Sequence, residues 1–113
     1  MDDQLGTHKV EDHPDTLRST YAVVFALRSL GHYEAARQLG EDTLTRYRRV
    51  LGHDHAFTLR SAHQLAATLR ESGDHEAAHQ LGEDTLARQR RVLGHDHPET
   101  LRLAASLTAA RGN

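Results

Sequence analysis

The chain has 113 residues, a formal net charge of -2 with histidine neutral, and no cysteine, so disulfides and thiolate chemistry are excluded. The charge balance offers no basic excess of the kind a nucleic-acid surface needs. No apolar run is long enough to span a bilayer, and the acidic start Met1-Asp2-Asp3 lacks the basic and apolar stretch of a signal peptide, so the expected location is the cytoplasm and neither nucleic acid nor membrane is an expected partner. Aromatic residues make up 4%, so the core has to be built from Leu, Val and Ala, a composition suited to closely packed helices.

Residues 1–11 match nothing later in the chain well and are expected to be an irregular leader or the end of a preceding unit. At Asp12 a pattern begins that returns twice: DHPDTLR at 12, DHAFTLR at 54 and DHPETLR at 96. An Asp ahead of Pro and an acidic residue, followed by an apolar periodic run, predicts a helix start. Asp12, Asp54 and Asp96 are the expected caps, with Pro14 and Pro98 in the first turn.

A first helix is predicted over 14–30, with Leu17, Thr20, Val23, Val24, Leu27 and Leu30 as its buried stripe. Gly31 stops it. A second is predicted over 32–51, with a stripe running from Tyr33 and Ala36 through Gly40, Thr43, Leu44 and Tyr47 to Val50 and Leu51. Gly52 ends it, and Arg46, Arg48 and Arg49 lie near the negative end of its dipole. The third is predicted over 56–72 on Leu59, Ala62, Leu65, Ala66 and Leu69. The fourth is predicted over 74–93 on Ala78, Leu81, Gly82, Thr85, Leu86, Val92 and Leu93. A fifth starts near Pro98 and ends near Ala110, with Leu101, Ala104 and Leu107 on its stripe.

The period is 42 residues: 26 of 42 positions are identical between residues 12–53 and 54–95. Within residues 40–55 and 82–97 the copies differ only at Thr45/Ala87 and Tyr47/Gln89. The expected units are therefore 12–53, 54–95 and an incomplete 96–113. A two-helix unit of this kind cannot cover its own apolar face, so neighbouring hairpins must stack into a continuous core. The fold class that follows is all-α, an α-solenoid of about two and a half hairpins and five helices. Gly40 and Gly82, in mid-helix at equivalent places, predict crowded contacts, since glycine there costs about 1 kcal/mol against alanine.

The stretch LRSLGHYEAARQL (27–39), with its counterpart LRESGDHEAAHQL (69–81), resembles the tetratricopeptide repeat. Gly31/Gly73, Tyr33 and Ala36/Ala78 fit that family's glycine, aromatic and alanine places, although His75 stands where the first unit has Tyr33. The 42-residue period and the VLGHDHPETL linker resemble the extended repeats of kinesin light chains, and more closely those of bacterial arrays that often follow an NB-ARC-type nucleotide-switch domain. The resemblance covers about residues 12–110. It implies a right-handed α-solenoid serving as a non-catalytic protein-binding scaffold without cofactor, in which the first helices line a concave groove. By that analogy the groove residues are Arg18, Tyr21, Phe25 and Arg28 in the first unit, then Arg60, His63, Ala67 and Arg70, with Arg102 continuing the row.

Three patterns invite chemistry. His75-Glu76-Ala77-Ala78-His79 matches the H-E-x-x-H zinc protease signature on a helix. The first copy reads Tyr33-Glu34-Ala35-Ala36-Arg37, so packing already explains Glu76 and the alanines. Thr85 stands where an extended signature needs its third ligand, and catalytic zinc needs three protein ligands. The triplets His53–His55 and His95–His97 fall in linkers one repeat apart, too far to share an ion. No catalytic or metal-binding residue is therefore assigned. The arginines recurring every 42 residues are the third pattern. Guanidinium groups bind carboxylates through paired hydrogen bonds, so an acidic segment or a free C-terminal carboxylate is the fitting groove ligand. The bland account is that these arginines pair with Asp15, Glu99 or other neighbours. The competing function is self-association through residues 98–110, whose stripe of Leu101, Ala104 and Leu107 a further helix would cover.

Overall fold

The computed structural model describes residues 14–112. They form α1 (Pro14–Ser29), α2 (Tyr33–Leu51), α3 (Ala56–Glu71), α4 (His75–Leu93) and α5 (Pro98–Gly112). The helices are joined by short turns and each packs on the next, with α1 also touching α3, which gives an elongated body of 51 × 30 × 19 Å. This is an all-α solenoid. The helix ends predicted from Gly and Pro punctuation fall within about two residues of those observed.

Each hairpin turn is closed in the same way. Gly31 and Gly73 take φ of +83° and +99°, which lets the next amide reach back over the helix end. His32 N–H donates to Leu27 O at 2.8 Å, and Asp74 N–H to Leu69 O at 2.9 Å. A six-to-one bond past a left-handed glycine satisfies carbonyls that the helix end would otherwise leave open.

The core runs between hairpins. Leu44, Ala62, Leu65, Leu69 and Ala78 form its central cluster, and Leu86, Leu103 and Leu107 form a second cluster at α5. The mid-helix glycines mark the crowded seams. A Cβ on Gly40 would lie 3.2 Å from Leu65 Cδ1, and one on Gly82 would lie 2.5 Å from Leu107 Cδ2. Leu65 and Leu107 are 42 residues apart, so α3 and α5 each seat a leucine on the glycine of the preceding second helix. Two threonines of the core are tied together: Thr43 Oγ1 donates to Thr20 Oγ1 at 3.0 Å, which itself donates to Leu17 O.

Several expectations need correction. Tyr33 and Val50 on α2 and Val92 on α4, placed on the apolar stripes, are 37%, 40% and 44% exposed. On α1, Val23 is 48% exposed and Leu30 70% exposed, while Leu17, Thr20 and Val24 are buried. Val23 is the counterpart of Leu65 and Leu107, and among the described residues no preceding second helix offers it a glycine seat. On α5 the predicted stripe does not lie on one face. Leu107 points into the α4 seam and is buried, together with Leu103, whereas Leu101 is 54% exposed. The linker caps are histidines rather than aspartates. His55 Nδ1 accepts from Phe57 N–H at 3.0 Å, and His97 Nδ1 accepts from Glu99 N–H at 3.1 Å. Asp12 lies outside the described residues. Asp54 turns instead to α4, where Arg88 and Arg91 both donate to its Oδ1 at 3.1 Å.

Candidate functional site

The face built by the first helices carries the row of arginines, and their neighbours differ sharply along it. Arg18 has its guanidinium 5.4 Å from the centroid of the Phe57 ring. Its contact with Asp15, at 3.5 Å, lies on the open rim, with 61% and 76% of the two side chains exposed. Arg60 reaches Glu99 through one long contact of 3.4 Å. Arg28 is bound in two-point fashion by Glu71, with Nε at 2.8 Å and Nη2 at 2.9 Å, which ties α1 to α3. The hydrogen bonds from Arg28 hold the Glu71 carboxyl below its ordinary range. The bland account of the arginines therefore holds in full for Arg28 and only weakly for Arg18 and Arg60. Asn113 occupies the sequence position 42 beyond Glu71, so the repeat places no such carboxylate for Arg70. Among the described residues neither Arg70 nor Arg102 makes an ion pair.

Between α1 and α3 the surface sinks into a recess of about 100 Å³ lined by Arg18, Tyr21, Tyr47, Phe57 and Arg60. Tyr47 comes up from α2 beneath the two first helices, and its ring lies 6.2 Å from that of Phe57. Burial pushes the Tyr47 phenol above its ordinary pKa, while Arg18 and Arg60 pull the other way. The recess thus has an aromatic floor and two cationic walls. Tyr21 is anchored here because Gln64 Nε2 donates to its carbonyl at 2.9 Å across the two helices. Phe25, 60% exposed, stands further along the same helix.

His63 follows on α3. Burial pushes its imidazole below the ordinary value, and Arg70, Arg102 and Arg28 push it further down against the opposing pull of Glu99. Three cations and one carboxylate around a desolvated imidazole make this stretch of the face electropositive. Between α3 and α5 lies a second recess of about 210 Å³, lined by Arg60, Gln89, His97 and Glu99 with Leu59 and Leu93.

Of the residues predicted from the sequence, the structure brings Arg18, Tyr21 and Arg60 together in the first recess and places Arg28, Arg70 and Arg102 around His63. Tyr47, Phe57, Gln89 and Glu99 were missed as site residues. Tyr47 falls on the core stripe of α2, where it is 2% exposed, and Phe57 falls at a helix start. The signal was nevertheless present, because Tyr47/Gln89 is one of the only two differences between the two copies of the sixteen-residue stretch.

The histidine-rich patterns do not assemble a centre. His75 and His79 are exposed on α4, and His79 Nε2 lies 3.7 Å from Glu83. Among the described residues no three His, Asp or Glu side chains gather closely enough to hold a metal.

Stacked helical hairpins with a continuous inter-repeat core define the class as a helical-repeat solenoid. The tetratricopeptide repeat family model matches residues 15–91, and the chain belongs to that family. Among solved structures it is similar to a Podosopora anserina protein described as a kinesin light chain with nearly identical TPR-like repeats, at a TM-score of 0.81 and 28% identity, covering 88% of this chain. The chain spans about half of that protein, 47% of its length. None of the curated proteins matches this sequence. Tetratricopeptide repeats generally serve as protein-interaction scaffolds.

Proposed function

We propose that the first-helix face is a peptide-binding groove, non-catalytic, whose ligand is an acidic segment or a free C-terminal carboxylate. The observation that carries this reading is the α1–α3 recess, in which Arg18 and Arg60 flank Tyr21, Tyr47 and Phe57. Arg18 lies over a ring, and a ring face attracts a cation without neutralising it, so its N–H edge remains able to bind a carboxylate. The aromatic floor adds area for an apolar neighbour of that carboxylate. Arg70 and Arg102 extend the positive field along the face, whereas Arg28 takes part only if a ligand displaces Glu71.

The test is titration with acidic and free-C-terminal peptides. Arg18→Glu combined with Arg60→Glu should abolish binding, and unchanged affinity would refute the groove. A second reading has one observation in its favour. Leu101 is 54% exposed, while its counterparts Leu17 and Leu59 are 0% and 2% exposed. That face of α5 could be covered by a second copy. Sedimentation across a concentration range tests it, and a strict monomer that Leu101→Lys does not alter would dispose of it.

A further inference from the structure

The two recesses are the same place in successive repeats, because Arg18, Tyr47 and Phe57 become Arg60, Gln89 and Glu99 on adding 42. Their chemistry is opposite. Among the described residues, the inner wall of the first is aromatic and carries no carboxylate, and the guanidinium of Arg18 lies over the Phe57 ring there. In the second, a carboxylate stands where that ring stood, and an amide stands where the phenol stood. Gln89 is 1% exposed, and its Oε1 has no hydrogen-bond partner among the described residues. A buried acceptor left unmade is costly, and a donor arriving from the recess relieves that cost. The first recess asks for an anion, and the second presents acceptors.

We infer that the groove is bipartite: the α1–α3 recess takes a carboxylate beside an apolar side chain, and the α3–α5 recess takes a cationic N–H donor, a lysine or arginine, of the same peptide. This rests on the groove reading above and specifies its ligand. Arg60 couples the two halves, since it lines both recesses. At rest it holds Glu99 by a single 3.4 Å contact with half of its own side chain exposed. A contact of that kind is weak and easily exchanged. A carboxylate seated against Arg18 offers Arg60 a better partner, and when Arg60 turns to it, Glu99 is released to the ligand's cation. The two ends of the ligand therefore assist each other, and a purely acidic peptide leaves the second recess unused.

The probe is a set of end-capped, fluorescently labelled peptides with one leucine–aspartate pair and one lysine, separated by one to five residues. Partners replace the lysine by norleucine or the aspartate by asparagine. At the best spacing the lysine peptide should bind about threefold tighter or better than its norleucine partner, the scale of a partly exposed ion pair. Glu99→Gln should remove that advantage and leave the aspartate dependence. Glu76→Gln, on the exposed start of α4, changes net charge equally and should keep the advantage, which separates a local partner from the general field. If lysine is worth less than threefold at every spacing, or if Glu99→Gln leaves its advantage intact, the bipartite inference is overturned while the groove stands. If the asparagine peptide binds as well as the aspartate peptide, the acidic-segment form of the groove reading fails and this inference with it. Far-ultraviolet circular dichroism of both variants confirms that each comparison is made on folded protein.

Discussion

Gly82→Ala is the sharpest probe of the seam between α4 and α5. The added Cβ would lie 2.5 Å from Leu107 Cδ2, well inside van der Waals contact. Leu107 is only 5% exposed, so its methyl has little room to swing away, and α5 must lift or the leucine must leave its rotamer. Overpacking of this kind costs about 1–3 kcal/mol. Alanine's helix propensity returns about 1 kcal/mol, so the net loss is on the order of 0–2 kcal/mol. The diagnostic is a double-mutant cycle. In a Leu107→Ala background the methyl is gone, the cost vanishes, and Gly82→Ala should stabilise by up to about 1 kcal/mol. The coupling between the two sites is therefore about 1–3 kcal/mol. Urea denaturation followed by circular dichroism reads it directly. A coupling below about 0.5 kcal/mol would show that Leu107 does not occupy the glycine's place in solution.

Four further outcomes follow from the same structure. Gly40→Ala meets Leu65 at 3.2 Å and should be close to neutral by thermal melting, because a shift of a few tenths of an ångström offsets the propensity gain. Asp74 caps α4 by accepting from Ala77 N–H, so Asp74→Ala should cost about 1 kcal/mol, whereas His32→Asp should add stability at the equivalent start of α2, where no side chain caps. Asp54→Asn should lower the melting temperature at low salt, and the difference should shrink in 1 M salt as screening weakens the pairs to Arg88 and Arg91. Because the imidazole of His63 is pushed down in the folded protein, its contribution to stability is complete above the unfolded value of about 6.5 and is lost as pH falls below it. His63→Gln should flatten that part of the pH–stability curve, and a carboxylate ligand in the groove should draw a proton onto His63, measured as buffer-dependent binding heat.

The helices were legible because Gly31, Gly52, Gly73 and Gly94 punctuate a periodic apolar pattern that the repeat states twice. The exposure of Val23 and Leu101 was not legible. Position-by-position equivalence predicts burial for both, but burial depends on a neighbouring helix that only the assembled stack supplies. The caps were misread because Asp54 and His55 precede the same helix and both can accept an amide hydrogen; the choice turned on Arg88 and Arg91, more than thirty residues away. In the site, repetition led to the arginines and hid their partners. Identity between copies marks what packing requires, whereas Tyr47/Gln89 and Phe57/Glu99, which set the character of each recess, are places where the copies diverge.

The Asp54 contact also bears on how the rod deforms under load. Asp54 sits just ahead of α3, and Arg88 and Arg91 sit in the last turns of α4, so the contact clasps the open end of a hairpin whose other end is closed by the Gly73 turn. A hairpin fastened at both ends transmits tension as one stiff link. Ionic strength, by loosening the clasp, therefore sets how firmly the open end of the α3–α4 hairpin is held.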